Sequence, residues 1–216
     1  NMPKLQNLEL GMNPVSKIDF LKGIRGLVTC NLSNTPITDI RHLGSHTRLT
    51  TLVLSGCRLE SEKPLSELKH LTKLDSLDVM GAVKTLVGCE KFTELTTLYC
   101  GENKLTSLDP LKHLRKLETI SAEDNRIEDV RALSDIDSLR TLYLNSNKIE
   151  DVSPLRDLKK LCYLDLSNNK ITQESLEIAM EDKPSLKALI YNKNIRCTSL
   201  AFALDIPSLK ELSAEG

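Results

Sequence analysis

The four histidines are the side chains of this sequence that could most readily bind a metal ion or transfer a proton. His42 and His46 have i,i+4 spacing, which on a helix would bring two imidazoles to one side. The segment between them is not convincingly helical, however, and no carboxylate or cysteine completes a metal set. His70 and His113 are isolated. We therefore interpret all four as surface or rim residues on the return path between strands, and we predict no metal site.

No motif in the sequence indicates catalysis. A glycine-rich phosphate loop and a G-x-S-x-G elbow are both missing, so we predict no catalytic residue and no cofactor. Binding chemistry is more evident, because Tyr99, Tyr143 and Tyr163 recur at related positions. Tyrosine is favoured in binding hot spots because it combines a large apolar surface and a polar tip with a small loss of conformational entropy.

A repeat positions these tyrosines, and it is clearest at residues 139–149, LRTLYLNSNKI. Its spacing is L-x-x-L-x-L-x-x-N-x-I, the signature of leucine-rich repeats. A period of about 22 residues leaves room for one strand, one tight turn and a brief return segment, so we expect extended or 3-10 return segments. We predict one domain, 1–216, with about nine repeats and a partial tenth. The first leucines of the units are Leu5, Leu27, Leu49, Leu74, Leu95, Leu117, Leu139, Leu161, Leu186 and Leu209.

The extended frame L-x-x-L-x-L-x-x-N-x-I-x-x-I-x-x-L-x-x-L resembles the 22-residue class of leucine-rich repeats, typified by a regulatory subunit of protein phosphatase 1 and by the bacterial internalins. The best matching units are LTTLYCGENKLTSLDPLKHL, LETISAEDNRIEDVRALSDI, LRTLYLNSNKIEDVSPLRDL and LCYLDLSNNKITQESLEIAM. The resemblance implies an α/β leucine-rich repeat solenoid, a right-handed coil with a parallel sheet on its concave face and short turns or 3-10 segments on its convex side. It also implies a protein partner on the concave sheet.

The position after each strand is usually asparagine, whose amide can donate and accept hydrogen bonds within a tight turn. The fourth unit, residues 74–94, departs from this pattern. It is one residue short, Ala82 stands at the asparagine position, and Lys84 occupies an expected apolar position. We interpret this unit as a tolerated repeat defect, with a functional bend as the alternative.

Two segments of the return path predict helices. Residues 172–184, TQESLEIAMEDKP, begin with Thr172 as a cap and place Leu176 and Met180 on one side, which predicts a short helix near 173–182. Residues 199–204, SLAFAL, are apolar nearly all round. They predict a second helix pressed between neighbours, with Phe202 in the core.

Alternation within L-x-x-L-x-L should turn the leucines inward and the residues between them toward solvent. The predicted central outward row is Glu9, Asn31, Val53, Asp78, Tyr99, Ser121, Tyr143, Asp165 and Ile190. Strands about 4.8 Å apart would place Tyr99 and Tyr143 about 10 Å apart across Ser121, with Tyr163 one row over. Lys104, Arg126, Lys148 and Lys170 should form a basic ridge at the edge of the sheet. The predicted partner-binding residues are Tyr99, Tyr143, Tyr163, Asp78, Glu123, Asp165, Val53, Arg126 and Lys148.

The overall charge and the cysteine pattern restrict the class of partner and the compartment. Lysine and arginine number 29 against 30 aspartates and glutamates, a net charge of -1, so we predict binding to neither nucleic acid nor membrane. No apolar run reaches the roughly 18 residues that cross a bilayer. Six scattered cysteines without a C-x-x-C pair favour reduced thiols and a cytoplasmic location.

These observations support three functional hypotheses. The first is a non-catalytic interaction module or scaffold whose partner, by family resemblance, is a phosphatase or a cytoskeletal protein. The second is an exported, internalin-like adhesin, against which the six cysteines argue. The third is the recognition domain of an enzyme whose catalytic part lies outside this chain. The terminal units lack polar caps, which suggests either a piece of a longer protein or self-association through the ends.

Overall fold

A single parallel sheet runs along the described part of the chain. The computed structural model describes residue 2 and residues 4–194 and 196–215. Each strand has three residues and pairs with the strands before and after it in the sequence. This order follows from the repeat, because each unit contributes one strand and the next unit stacks beside it. The strands are Asn7–Glu9 (β1), Thr29–Asn31 (β2), Thr51–Val53 (β3), Ser76–Asp78 (β4), Thr97–Tyr99 (β5), Thr119–Ser121 (β6), Thr141–Tyr143 (β7), Tyr163–Asp165 (β8), Ala188–Ile190 (β9) and Glu211–Ser213 (β10).

The return path on the convex side consists mostly of short 3-10 segments, as the period of about 22 residues predicts. Pro110 and Pro154 lie in the first turn of two of these segments, where a missing N–H costs nothing. The 3-10 segments are Asp19–Gly23, Arg41–Ser45, Pro64–Leu68, Cys89–Lys91, Asp109–Leu111, Arg131–Leu133, Ser153–Leu155 and Ala201–Asp205. The predicted leucine-rich repeat solenoid is therefore confirmed.

The helix predicted near 173–182 is confirmed as Gln173–Met180 (α1). Its cap is the predicted one, because the backbone N–H of Ser175 donates to the Thr172 hydroxyl at 3.3 Å. Leu176 and Met180 are buried against the core of the solenoid. The longer unit thus uses its extra residues to build one full helix on the convex side.

The second predicted helix, at residues 199–204, is wrong. The chain forms only the 3-10 segment Ala201–Asp205, in which Leu204 is 88% exposed. Leu200, directly before this segment, is 38% exposed. Phe202 is only partly buried against the core. A 3-10 turn repeats every three residues, so it can bury only part of a segment that is apolar on all sides.

Buried amides hold successive units together. Asn147 lies behind β7, where its side-chain N–H groups donate to the backbone carbonyls of Ala122 at 2.9 Å and Leu144 at 3.0 Å. Its oxygen accepts the backbone N–H of Ile127 at 2.9 Å. Asn125 and Asn169 make the same set of bonds one unit earlier and later. The predicted role of the turn asparagine is therefore confirmed, and the amide also bridges neighbouring units.

The predicted register of the fourth unit was wrong by one residue. Val83, not Lys84, fills the apolar position, and it is only 6% exposed. Its N–H donates to the Asn103 amide oxygen at 3.0 Å, as the N–H of Leu105 donates to Asn125. Lys84 points to solvent and pairs with Glu62. The deletion therefore falls between the buried residues Ala82 and Val83, beside an open surface pocket of about 360 Å³.

His46 does not lie at the surface as predicted. It is 2% exposed, and neither ring nitrogen has a hydrogen-bond partner among the described residues. The imidazole occupies the last inward position of its unit, which Leu71 and Phe92 occupy in the next two units. Burial lowers the pKa of His46, which keeps the ring neutral. His42 is half-buried beside Asp19, and the other two histidines are exposed.

Lys183 occupies the same inward position in a later unit, and it is 2% exposed. Its ammonium group donates to the backbone carbonyl of Leu155 at 3.0 Å and to that of Arg156. The Leu155 carbonyl ends the 3-10 segment of the preceding unit and also accepts the Leu158 N–H, whereas the Arg156 carbonyl follows the segment, where the helical pattern leaves acceptors unpaired. Lys183 therefore acts as a buried cap between two units.

The stability of the protein should depend on pH through Lys183. Burial lowers the pKa of its ammonium group from 10.5 to about 8. Between these two values the unfolded chain holds a proton that the folded chain has released, so the free energy of unfolding contributed by this group rises with pH. Below about pH 8 the cost of burying the charge is present in full. We expect Lys183→Met, which does not titrate, to lack this rise.

Urea denaturation of both proteins at several pH values between 7 and 10.5 measures the effect. Subtracting the variant from the wild type cancels the titration of the tyrosines and cysteines, which both proteins share. A difference in unfolding free energy that stays constant over this range would contradict the buried, titrating lysine.

Candidate functional site

Five side chains lie side by side across the middle of the sheet. The strand register aligns Asp78, Tyr99, Ser121, Tyr143 and Asp165 on five consecutive strands. The predicted outward row is therefore confirmed at these positions. With strands about 4.8 Å apart, the two tyrosines stand about 10 Å apart at their backbones. Tyr99 is 38% exposed, and Tyr143 is half-buried.

The third tyrosine extends this row sideways. Tyr163 is aligned with Thr141 on the neighbouring strand, and its ring lies against that of Tyr143 with centroids 4.9 Å apart and planes tilted by 45°. Such a tilted pair is a favourable aromatic arrangement. Burial and the nearby Asp165 raise the pKa of Tyr163, so its hydroxyl stays neutral and can donate a hydrogen bond. The fourth tyrosine, Tyr191, is a core residue at 5% exposure.

An unpredicted contact closes the space between the two tyrosines of the row. Ser121 is only 5% exposed, because the Glu123 side chain folds back and its carboxylate accepts the Ser121 hydroxyl. The same carboxylate leans over Gly101, where an added Cβ atom would lie 2.6 Å from the glutamate oxygen Oε1. Gly101 is therefore needed for this conformation of Glu123. The small residues Gly101 and Ser121 beside bulky neighbours were the signal in the sequence.

The carboxylates near the tyrosines are not paired with a cation in the described part of the chain. Among the residues that the structure describes, no lysine, arginine or histidine nitrogen lies within 4.0 Å of Asp78, Glu123 or Asp165. One oxygen of Asp78 accepts the Met80 backbone N–H at 3.0 Å, and one of Asp165 accepts that of Ser167 at 2.9 Å. These bonds fix the two aspartates at the ends of the row.

The remaining predicted residues surround this centre. Val53 lies in the same row, next to Asp78, and is half-buried. Arg126 and Lys148 are exposed at the turns that follow the strands, so they flank the sheet and do not lie on it. Lys148 approaches Glu128 at 3.9 Å. The predicted basic ridge thus lies at the edge of the sheet, separated from the tyrosines by the turn residues.

The cysteines offer little reactive chemistry. Cys30, Cys57, Cys89 and Cys100 are buried, and burial raises the pKa of each, that of Cys30 to about 12. Such thiols remain protonated and behave as small apolar groups. Within the described ranges, no group of three or more histidine, cysteine, aspartate or glutamate side chains is arranged to hold a metal ion.

Comparison with known families agrees with the fold and with the repeated asparagine turns. The sequence matches the family described as Leucine Rich repeats (2 copies) at residues 93–135 and 137–178, and the Leucine Rich Repeat family at residues 48–71. Together these ranges span half of the chain, which therefore belongs to the leucine-rich repeat proteins. No curated protein matches the sequence.

Solved structures place the chain near the internalins in fold. An internalin C2 from Listeria monocytogenes is 23% identical, with a TM-score of 0.77 over 96% of this chain and 80% of that one. The internalin InlF of the same organism is 19% identical, with a TM-score of 0.76 over 97% and 74%. The plant peptide hormone receptor RGFR1 in complex with RGF2 is 20% identical, with a TM-score of 0.70 over 96% and 39%. At these identities the likeness concerns the fold alone.

Among the described residues, no helix has both the length and the apolar composition needed to cross a bilayer.

Proposed function

We propose that this chain is a non-catalytic protein-interaction module that binds a protein partner on its sheet. The observation that carries the proposal is the patch formed by Tyr99, Tyr143 and Tyr163, which project from the sheet next to uncompensated carboxylates. A solvated sheet with no partner has no need of three adjacent aromatic side chains. The membership in the leucine-rich repeat proteins and the fold shared with a receptor in complex with RGF2 support this reading.

The surroundings of the tyrosines suit a hot spot. Tyrosines contribute strongly to binding where a rim of weaker contacts excludes water around them. Val53 and Asp78 on one side and Asp165 on the other supply such a rim, and the backbone bonds of the aspartates hold it in place. Arg126 and Lys148 at the edge would steer a partner and fix its register without contributing much affinity.

Removing two tyrosines tests the proposal. We expect Tyr99→Ala combined with Tyr143→Ala to weaken binding of the partner by at least about 2 kcal/mol, a loss of roughly 30-fold. The fold should persist, because neither ring belongs to the core. The partner is first captured from lysate with the wild-type protein, and its affinity for each protein is then measured by calorimetry.

A matched control replaces aromatic rings on the opposite side. His70→Ala with His113→Ala removes two exposed rings from the convex side and should leave the affinity unchanged. If the tyrosine variant binds as tightly as the wild type while its thermal transition is unaltered, the binding site lies elsewhere on the solenoid.

An exported adhesin is the second candidate, and the shared fold with two internalins favours it. The argument from six cysteines against export loses weight, because four of them are buried and protonated, which protects them from oxidation. We retain the cytoplasm as the proposed location. Fractionation of the source cells with an antibody against this chain distinguishes the two, since an adhesin would appear at the surface or in the medium.

A further inference from the structure

The fourth unit leaves one backbone donor without an acceptor. In regular units the residue two positions after the turn asparagine donates its N–H to the asparagine of the next unit, as Ile127 donates to Asn147 at 2.9 Å. Leu59 holds this position in the third unit, but the corresponding residue of the fourth unit is Ala82, which has no side-chain acceptor. Among the described residues, the Leu59 N–H has no hydrogen-bond partner. Leu59 is only 7% exposed, and a buried donor without an acceptor is unfavourable.

An open surface pocket lies beside this donor, and we call it the defect pocket. Its volume of about 360 Å³ falls within the range of ligand sites. Leu59, Ala82 and Val83 contribute apolar side chains to its lining. Ile37 also lacks an amide acceptor, because Cys57 stands at the asparagine position of the next unit, but Ile37 is fully buried and does not line the pocket. The defect pocket therefore combines an apolar lining with one unpaired backbone donor.

The charged side chains around the defect pocket favour an anion. Arg58, Lys84 and Lys104 line it, against one acidic side chain, that of Glu102. Lys84 is paired with Glu62. In the part of the chain that the structure describes, no carboxylate lies within 4.0 Å of the side-chain nitrogens of Arg58 or Lys104. Two exposed cations therefore remain available to a ligand that also accepts the backbone N–H.

We infer that the defect pocket binds the C-terminal residue of a protein partner, with its free carboxylate at the Leu59 N–H and its aliphatic side chain on the apolar lining. The inference rests on the proposed function in taking a protein as the ligand, but none of the three tyrosines lines this pocket. A C-terminal leucine, isoleucine or valine carries a carboxylate and a branched apolar group on the same carbon atom. Backbone N–H groups are a recurring means of capturing such a terminal carboxylate.

Other ligand groups fit the defect pocket less well. A phosphate group carries up to two negative charges, has no apolar part and would meet Glu102. An aspartate or glutamate side chain within a peptide brings one charge but places no branched apolar group beside it. An amidated chain end could accept the Leu59 N–H, but it would gain little from the charges of Arg58 and Lys104.

The test compares three capped tripeptides in NMR titrations of the isotope-labelled protein. The first is acetyl-Gly-Ser-Leu with a free carboxylate, and the second is the same peptide with a C-terminal amide. The third, acetyl-Asp-Ser-Leu with a C-terminal amide, carries its single negative charge on a side chain. We expect the first to bind at least about 10-fold more tightly than either of the others. The amide proton of Leu59 should move downfield as it begins to donate to the carboxylate.

Matched variants assign the binding to the defect pocket. Ala82→Asn supplies the amide oxygen that regular units use, so it should satisfy the Leu59 N–H, fill the pocket and weaken binding at least about 10-fold. Lys104→Gln removes one cation from an exposed position and should weaken binding about 3-fold. Lys170→Gln is the control, because Lys170 holds the same turn position beside Asn169 and does not line the pocket. We expect the control to change the affinity less than about 1.5-fold.

The outcomes separate this inference from the proposed function. Equal affinities of the carboxylate and amide peptides, no binding up to about 10 mM peptide, or binding unaffected by Ala82→Asn would overturn the inference. Equally tight binding of the aspartate peptide would also overturn it, because a chain end would then not be required. The proposed function would survive each of these results if Tyr99→Ala with Tyr143→Ala still weakened binding of the captured partner. Loss of the carboxylate preference in Ala82→Asn, with its retention in Lys170→Gln, would support the inference.

Discussion

Replacing Leu142 with alanine is expected to lower the free energy of unfolding by roughly 2–5 kcal/mol, the range for large-to-small changes in a core. Leu142 is fully buried at the middle of β7, and Ile120 and Leu164 lie beside it on the neighbouring strands. The cavity cannot be refilled easily, because every neighbour is itself fixed by the pairing of parallel strands. Both flanking units should be loosened together, since each unit contacts only its neighbours.

Urea denaturation followed by circular dichroism measures this loss. The control is Thr141→Ala in the same strand, where the side chain is half-buried on the outer side of the sheet. We expect that change to cost less than about 1 kcal/mol, the span of strand propensities. An unaltered transition for Leu142→Ala would mean that the assignment of inward and outward positions is wrong.

Asn147→Ala should also destabilise the protein, by about 1–3 kcal/mol. The change removes the hydrogen-bond partner of the buried Ile127 N–H, whereas the carbonyls of Ala122 and Leu144 keep bonds from Asn125 and Asn169, respectively. A buried polar group left without a hydrogen bond costs about that much. The side chain itself is small, so lost packing explains little of the effect.

The position of an asparagine along the solenoid decides its effect. Asn13 is exposed near one end, and among the described residues its side-chain amide bonds only to carbonyls of its own turn, those of Leu10 and Gly11. Asn13→Ala should therefore cost less than about 1 kcal/mol in the same denaturation experiment. If the two asparagine variants were equally stable, the bridging hydrogen bonds between units would not be the source of the stability.

The sequence predicts the sheet well, because a single physical constraint sets both the strand and its neighbours. A leucine at every second position of L-x-L can be buried only if the residue between them faces solvent. Repetition then places equivalent residues, such as Tyr99 and Ser121, on adjacent strands without further information. The row of outward residues and the role of the turn asparagine could therefore be predicted.

The errors have a different origin. His46 and Lys183 are polar residues at inward positions, and residue type suggested a surface location for the first. In the structure both side chains are buried. Lys183 can be buried because a carbonyl of the neighbouring unit, that of Leu155, accepts its ammonium group, and a single unit of the sequence does not reveal such a contact. The predicted register at Val83 was wrong because a one-residue deletion can fall at any point of a turn. The hydrogen bond from the Val83 N–H to the Asn103 amide identifies Val83 as the apolar position of the repeat.

The candidate site was predicted in outline and not in detail. The tyrosine positions follow from the repeat, whereas the turn of Glu123 toward Ser121 is a choice of rotamer. That choice depends on the missing side chain at Gly101 in the preceding unit. Contacts of this kind join residues about 22 positions apart, and no local pattern in the sequence records them.

Because each unit adds one strand to the parallel sheet, the number of units between two outward residues sets the distance between them. Tyr99 and Tyr143 are separated by two strands, and therefore by two units of the gene product. Duplication of a single unit between them would keep the same packing between neighbouring units but would move the two tyrosines to about 15 Å apart. Unequal exchange of repeats during evolution can thus change the distance between two binding side chains in fixed steps of one strand spacing. No side chain has to be replaced for this change.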